Sequence, residues 1–324
     1  MLTHDRPLEI ENQIDLMKKY VTFRQRVKMR RFLNYSGYFR ASRYGKYLLS
    51  HTNVIGSKPS QELLYDIYEF DTKLREVLMR YCKKAEIQFK SNLSNSVSIK
   101  TGSPTFYLDE AYYTPSKGES DRIEKQKNKR FFTKFKDDIL DKENNLKRKN
   151  LKYPELNEYR GSGERSDCNI PSWAAFSYFE FGTITYIYSY LKGDLRKEVL
   201  KYGYSKPRYG KGVTKNMDTW LDAIRNLRNV CSHHNMLIGK TSSIVLFDRE
   251  DVDVINNQGE IGTDLFSRLY ALKKVLTEND SEMLKKDLKI IINKYKIDKH
   301  GINIYSMNIL PENWETLFLG IKQL

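Results

Sequence analysis

Apolar side chains recur at three- and four-residue steps in the first third of the chain, and this spacing constrains the fold more than any other feature. Such a spacing places the side chains on one face of a helix, which must be buried against other helices. Pro59-Ser60 precedes the run and Thr101-Gly102-Ser103-Pro104 follows it, so a long helix is predicted over residues 60–97. The apolar positions are Ile67, Phe70, Leu74, Leu78, Tyr81 and Ala85.

Related patterns predict further helices and very little strand, so the predicted fold class is all-α, a helical bundle. Residues 201–215 are rich in Gly, Tyr and Lys and indicate a loop, with a helix starting near Asn216 to Asp218. Residues 242–247 fit either a short strand or an extended loop. The other predicted helices lie at 9–20, 171–191, about 263–277 and 281–296.

Composition shifts divide the chain into three parts. Residues 1–55 form a basic, tyrosine-rich N-terminal extension, residues 56–298 a helical domain, and residues 299–324 a C-terminal tail. The helical domain contains an insertion at 111–168, which is crowded with Lys and Arg and predicts one or two polar helices. A nucleic-acid clamp and a solvated excursion both remain open as roles for this insertion.

The formal net charge of +15 and the pI of about 9.4 indicate a polyanionic partner. Together with 23 Tyr residues, the charge favours nucleic acid, because cations neutralise phosphates while aromatic rings stack on bases. A solvated basic surface without a partner, and aromatic rings that pack inward, remain the alternatives. The cations predicted to bind nucleic acid are Arg30, Arg31, Arg40, Arg43, Lys129, Arg130 and Lys211.

Several classes of protein lack support in the sequence. No run of 18 apolar residues predicts a membrane span, and the first residues lack the apolar core of a signal peptide. The three cysteines fit neither a disulfide framework nor a metal site, so a cytoplasmic protein without metal or cofactor is expected. Phosphate-binding GxxxxGK[ST] and GxGxxG motifs and the G-x-S-x-G elbow do not occur.

A second amphipathic helix has its chemistry-bearing residues on the polar side. At about 100 degrees per residue, Asn229 and His233 lie opposite the apolar stripe, and Arg228 lies at its edge. His234 falls on the core side, so it is interpreted as structural. The apolar stripe consists of Trp220, Ile224, Leu227 and Cys231.

Arg228 and His233 are the two groups that a metal-free ribonuclease needs. Histidine moves protons near neutral pH, and arginine binds a phosphate or a developing negative charge. The spacing of Arg228 and His233 is common by chance, so an exposed histidine without a role remains the alternative.

Five segments together carry a family resemblance. Leu227 to Asn235 resembles the R-N-x-x-x-H signature of HEPN domains, in the form found in Abi-like abortive infection proteins of the AbiD/AbiF type. The similarity spans most of residues 8–275 and covers the insertion poorly. The other segments that resemble this family are Tyr35-Ser36-Gly37-Tyr38, Tyr68 to Arg75, Glu86 to Ser91, Ile170 to Trp173, and Phe181-Gly182-Thr183.

The resemblance implies a HEPN helical bundle with metal-independent endoribonuclease activity. His233 would transfer protons, Arg228 would stabilise charge on the phosphate, and Asn229 would orient one of these groups. Glu86, Lys90 and His234 would support the site, although Lys90 stands where the family usually has arginine and lacks its planar fork.

The resemblance also implies partners. HEPN nucleases pair two motifs in one cleft, so a chain with a single motif is expected to form a homodimer. RNA is expected as substrate, with a small structured RNA restraining the nuclease in anti-phage defence or as a toxin. A non-catalytic RNA-binding protein in complex with a non-coding RNA, and a protein-interaction subunit, remain alternatives.

Overall fold

One long helix, α4 (Gln61–Thr101), forms the axis of the fold in the computed structural model. The side chain of Ser60 accepts a hydrogen bond from the Leu63 backbone and caps its start, and Gly102, at φ 67, ends it. All six apolar residues on its predicted face are buried, which confirms that prediction. The structure describes residues 7–51, 57–148, 153–203, 211–251, 255, 261–295, 297–322 and 324.

Helices dominate the described residues, as the all-α prediction requires. Two short strands, β1 (Val245–Leu246) and β2 (Ile261–Gly262), form an antiparallel pair. Strand β1 lies within residues 242–247, the segment predicted as a short strand or an extended loop. Short 3-10 turns occur at Phe106–Leu108, Glu110–Tyr112, Pro154–Tyr159, Arg249–Asp251 and Ile297–His300. The remaining helices are α1 (Ile10–Met17), α2 (Arg26–Ser36), α3 (Tyr38–His51), α5 (Arg122–Lys147), α6 (Ser172–Tyr178), α7 (Phe181–Tyr190), α8 (Gly193–Tyr202), α9 (Lys211–Ser232), α10 (Leu265–Val275), α11 (Glu278–Lys294) and α12 (Trp314–Gly320).

Helix α4 is surrounded by α3, α6, α8, α9 and α11, and α10 packs against both α9 and α4. Apolar side chains from both chain ends join this core, including Leu33 of α2, Leu48 of α3 and Trp314 of α12. Among the described residues, none of the helices is both long and apolar enough to cross a bilayer.

The insertion contains one long helix, α5, whose start is capped by the side chain of Asp121. Its Phe132, Phe135, Ile139 and Leu146 are buried, and the Phe135 ring stacks on Tyr190 of α7 with 5.1 Å between centroids. The charged composition predicted the helix, but not that this helix contributes an apolar face to the core.

Two predicted helices have different limits in the structure. The helix predicted over 171–191 is interrupted, because Phe179 and Glu180 are extended and separate α6 from α7. The break leaves the Phe179 carbonyl free of the helical ladder. Helix α9 begins at Lys211, earlier than predicted, and α8 occupies the start of the segment predicted as a loop, of which residues 204–210 lie outside the described residues.

The carboxylate of Asp71 joins three parts of the chain at one buried point. It accepts hydrogen bonds from the Tyr44 hydroxyl of α3, from Arg75 Nε at 2.9 Å, and from the backbone N–H groups of Leu237 and Ile238 at 3.0 and 2.9 Å. Asp71 is fully buried, so each donor replaces a bond that water would otherwise make. The segment that follows α9 is thereby fastened to α4.

We expect Asp71→Asn to lower the free energy of unfolding by about 3–5 kcal/mol. The substitution removes the negative charge that Arg75 faces, and the NH2 group of asparagine would point at N–H or O–H donors in place of an oxygen that accepts from them. Tyr44→Phe removes one of the four donors and should cost only about 1–2 kcal/mol. Urea denaturation of both variants measures the difference. Equal losses in the two variants would show that the charge of Asp71 has no special weight.

Candidate functional site

The apolar stripe predicted for α9 is confirmed. Trp220, Ile224, Leu227 and Cys231 are all buried. The Trp220 indole Nε1 donates to the Leu246 carbonyl at 2.7 Å, which fixes α9 against β1. This burial sets the rotation of α9 about its axis and therefore determines which residues face solvent.

Asn229 and His233 are exposed, one turn apart, on the opposite face of α9, as the helical wheel predicted. Among the described residues, the His233 imidazole has no hydrogen-bond partner. Arg228 lies at the edge of the buried stripe, with 33% of its side chain exposed. Exposed and partly exposed polar groups therefore line the last turns of α9.

Glu86 of α4 links two of the predicted cations. Arg228 Nε lies 2.8 Å from Glu86 Oε2, an ion-pair contact in which the N–H does not point along a hydrogen bond. Lys90 Nζ lies 2.8 Å from the other oxygen, Oε1. The Glu86 side chain is 10% exposed, so both cations stabilise a carboxylate that has little access to water.

Lys90 is largely enclosed and contacts acceptors on two different elements. Its ammonium group also donates to the Phe179 carbonyl at 2.7 Å, and 13% of the side chain is exposed. The break between α6 and α7 is what frees that carbonyl. Lys90 thus connects Glu86 to the α6–α7 junction. The compact ammonium group of lysine suits these single-atom contacts, which do not require the planar guanidinium of arginine.

His234 is exposed, so the prediction that it faces the core was wrong. Helix α9 ends at Ser232, and His234 has φ 52. Its N–H donates to the Cys231 carbonyl, and that of Asn235 donates to Val230, which is the Schellman pattern of a helix end. The wheel failed at this residue because the helix does not continue through it.

The predicted nucleic-acid-binding cations are not grouped at one place. Arg30 is ion-paired with Glu11, whereas Arg31, Lys129 and Arg130 are exposed, the last two on α5. Arg40 is half-buried beside His234 in a surface cleft, and Arg43 lies over the Phe39 ring. Lys211 begins α9, but its side chain lies outside the described residues.

Asp71 and Arg75 were missed as positioning residues, although the sequence held a signal. They lie on the same face of α4 as Phe70 and Leu74, and a charged pair four residues apart on an apolar face indicates a buried ion pair. Within the described residues, no group of three or more His, Cys, Asp or Glu side chains is arranged to hold a metal ion.

A family model of Abi-like proteins matches residues 31–239. The chain belongs to the Abi-like protein family. The matched region includes α4, the insertion and the whole of the Arg228–His234 run, so membership of the Abi-like family, as the motifs predicted, is confirmed. Membership connects this Abi-like chain with abortive-infection defence. No curated protein and no solved structure matches the sequence.

The positive φ of His234 leads to a prediction about this Abi-like helix end. We expect His234→Gly to be more stable than His234→Ala by about 1 kcal/mol, because glycine adopts left-handed backbone without a Cβ clash. Ser232 is still helical, so the order should reverse there, with Ser232→Ala more stable than Ser232→Gly by a similar amount. Chemical denaturation of the four variants tests both signs, and the same order at both positions would contradict the Schellman ending.

Proposed function

We propose that this Abi-like protein is a metal-independent endoribonuclease of the HEPN type. It acts in the cytoplasm on cellular or phage RNA, in anti-phage defence or as a toxin. The observation that carries the proposal is the end of α9, where an exposed His233 without a described partner lies one turn after Asn229 and near an Arg228 oriented by Glu86. The net charge of +15 supports a polyanionic substrate.

In the proposed reaction, the 2'-hydroxyl of the RNA attacks the adjacent phosphorus. The 2'-oxygen loses its proton to a general base, and the 5'-oxygen of the next nucleotide leaves and takes up a proton. The products are a 2',3'-cyclic phosphate and a 5'-hydroxyl end. His233 transfers protons in these steps, Arg228 stabilises the negative charge on the phosphate oxygens, and Asn229 orients the histidine or the phosphate.

The positions of Arg228 and His233 on α9 support a site built from two copies of the chain. The two residues are five positions apart, and the His233 N–H still donates to the Asn229 carbonyl in the helical pattern. Helical geometry therefore separates them by about 140 degrees around the axis and roughly 7.5 Å along it. Arg228 is held at the edge of the buried stripe by Glu86 of α4, whereas His233 is exposed. We propose that a homodimer with twofold symmetry brings Arg228 of one copy to His233 of the other.

An RNA partner completes the proposal. A small structured RNA bound to the basic surface would restrain the nuclease until infection, and the positive charge beyond the α9 site supports a second RNA contact. One observation favours a different class, a non-catalytic RNA-binding protein in complex with a non-coding RNA. Arg228 is already ion-paired with Glu86, which reduces the positive charge available for catalysis.

Cleavage of labelled RNA in the presence of EDTA tests the nuclease. The wild type should cleave, and His233→Ala should lose cleavage by about 100-fold or more while it still binds RNA, because proton transfer by a positioned side chain contributes that much. His51→Ala is a matched control, since His51 contacts the Tyr47 carbonyl on α3 and is not part of the α9 motif. Products should carry a cyclic phosphate.

Co-purified RNA is removed at high salt before the assay, so that a bound inhibitor does not mask activity. Tight binding without cleavage by the stripped wild type would favour the RNA-binding alternative. Equal cleavage by the wild type and His233→Ala would refute the role of His233.

Mixed dimers test whether the site is shared between copies. Arg228→Ala and His233→Ala should each be inactive alone. If they are co-expressed with different tags, half of the dimers should be mixed, and each should have one intact Arg228–His233 pair, so about a quarter of wild-type activity should return. No recovery in purified mixed dimers would show that each copy supplies both groups to its own site. A stable monomer by light scattering would refute the dimer.

A further inference from the structure

A cleft of about 590 Å³ opens at the end of α9. Cys231, Ser232 and His234 line one side, so the cleft begins at the residues that flank His233 in the chain. Residues of α2, α3 and α4 form the other sides. The cleft is distinct from the Glu86–Lys90–Arg228 cluster, because none of these three residues lines it.

Two tyrosine rings line the cleft and differ in how firmly they are held. Tyr68 is packed between Phe32 and Tyr44, with ring centroids 5.1 Å away in each case. Tyr35 is 81% exposed, so its ring is open to a ligand. A fixed ring and an exposed ring at one cleft provide surfaces on which a planar base can stack.

Two arginines supply positive charge in the same cleft. Arg75 is 4% exposed, and its Nε and Nη2 are fixed by Asp71 and by Thr72 Oγ1, so its guanidinium is already oriented. Arg40 is half-buried and makes no ion pair with any carboxylate that the structure describes. The cleft therefore contains one arginine with a carboxylate partner and one without.

One carboxylate, Glu76, also lines the cleft, and it does not cancel this charge. Lys73 Nζ lies 2.9 Å from Glu76 Oε2, and both side chains are exposed, so Glu76 is neutralised locally. Met79 adds an apolar surface that suits the face of a base or a ribose. The combination of stacking rings, cations and an apolar patch matches a nucleotide.

We propose that this cleft binds one unpaired nucleotide of the RNA, with its base against Tyr35 and Tyr68 and its phosphate on Arg40 and Arg75. The volume lies in the range of small-ligand sites, so it can enclose a single nucleotide but not a base-paired segment. Its placement beside the cleaved bond rests on the proposed function of His233, because Ser232 and His234 line the cleft on either side of that residue in the chain. The protein then acts on single-stranded RNA.

Binding is measured in a His233→Ala background, so that cleavage does not interfere. The probes are a short fluorescent single-stranded RNA and a duplex of the same sequence, followed by fluorescence anisotropy. Tyr35→Ala should weaken single-strand binding by about 5- to 150-fold, as loss of one base–aromatic stack does, and Tyr35→Phe should preserve it. Phe39→Ala is the matched control, since Phe39 is 77% exposed but does not line the cleft.

The phosphate contact has its own signature. Arg40→Ala should weaken binding and lower the slope of log affinity against log salt by about one. Arg249→Ala, which removes an exposed arginine that neither lines the cleft nor belongs to the predicted RNA-binding cations, should leave single-strand discrimination unchanged. Photo-crosslinking of RNA that contains 4-thiouridine should label the peptide with Tyr35 or Tyr68.

Affinities of Tyr35→Ala and Arg40→Ala that equal those of the two controls would overturn the nucleotide site. Equal losses for single-stranded and duplex RNA would also overturn it, because they would indicate surface charge alone. A failure of the nucleotide site can be distinguished from a failure of the proposed nuclease activity. An inactive wild type with weakened binding in Tyr35→Ala leaves the cleft as a nucleotide site, whereas EDTA-resistant cleavage with unchanged binding removes only the cleft.

Discussion

The buried carboxylate of Asp71 is the contact on which the geometry of the α9 end depends. It binds the backbone of Leu237 and Ile238, so the chain that leaves α9 cannot move away from α4 without uncovering a charge. It also orients Arg75, which lines the cleft beside His234, and it binds Tyr44 of α3. One side chain therefore couples the N-terminal helices, the long axial helix and the end of the motif.

Helix α4 positions the motif at two separate levels. Asp71 contacts residues just after α9, whereas Glu86, 15 positions later or roughly 22 Å along the axis, contacts Arg228 within it. The later residue of α4 meets the earlier residue of the motif, so the two helices run antiparallel. Two charged contacts, together with the buried stripe of α9, fix the rotation and the position of that helix. The exposed Asn229 and His233 are a consequence of this docking.

The sequence predicts the helices and buried faces that depend on periodicity. It misses the features that depend on where a helix ends or on contacts between distant residues. The three- and four-residue steps predicted α4 and the buried face of α9, because each rests on a repeat within one helix. His234 was misplaced, since no glycine marks the end of α9 and a wheel assumes that the helix continues. The contact between Glu86 and Arg228 joins positions 142 residues apart, and no local pattern encodes it. The break at Phe179 has a similar origin, because its carbonyl is satisfied by Lys90 of another helix.

In the proposed function, the charge of +15 would attract RNA to many parts of the surface, so the position of the cleaved phosphate would depend on individual cations that can exchange a carboxylate for the phosphate. Arg228 is such a cation in the proposed reaction. When it turns towards a phosphate it leaves Glu86, and a buried carboxylate without a cation is costly. Lys90 lies 2.8 Å from the other oxygen of Glu86 and does not depend on Arg228 for its place, because the Phe179 carbonyl also holds it. In the proposed reaction, Lys90 would keep Glu86 neutralised while Arg228 changes partner, which gives a reason for two cations on one carboxylate.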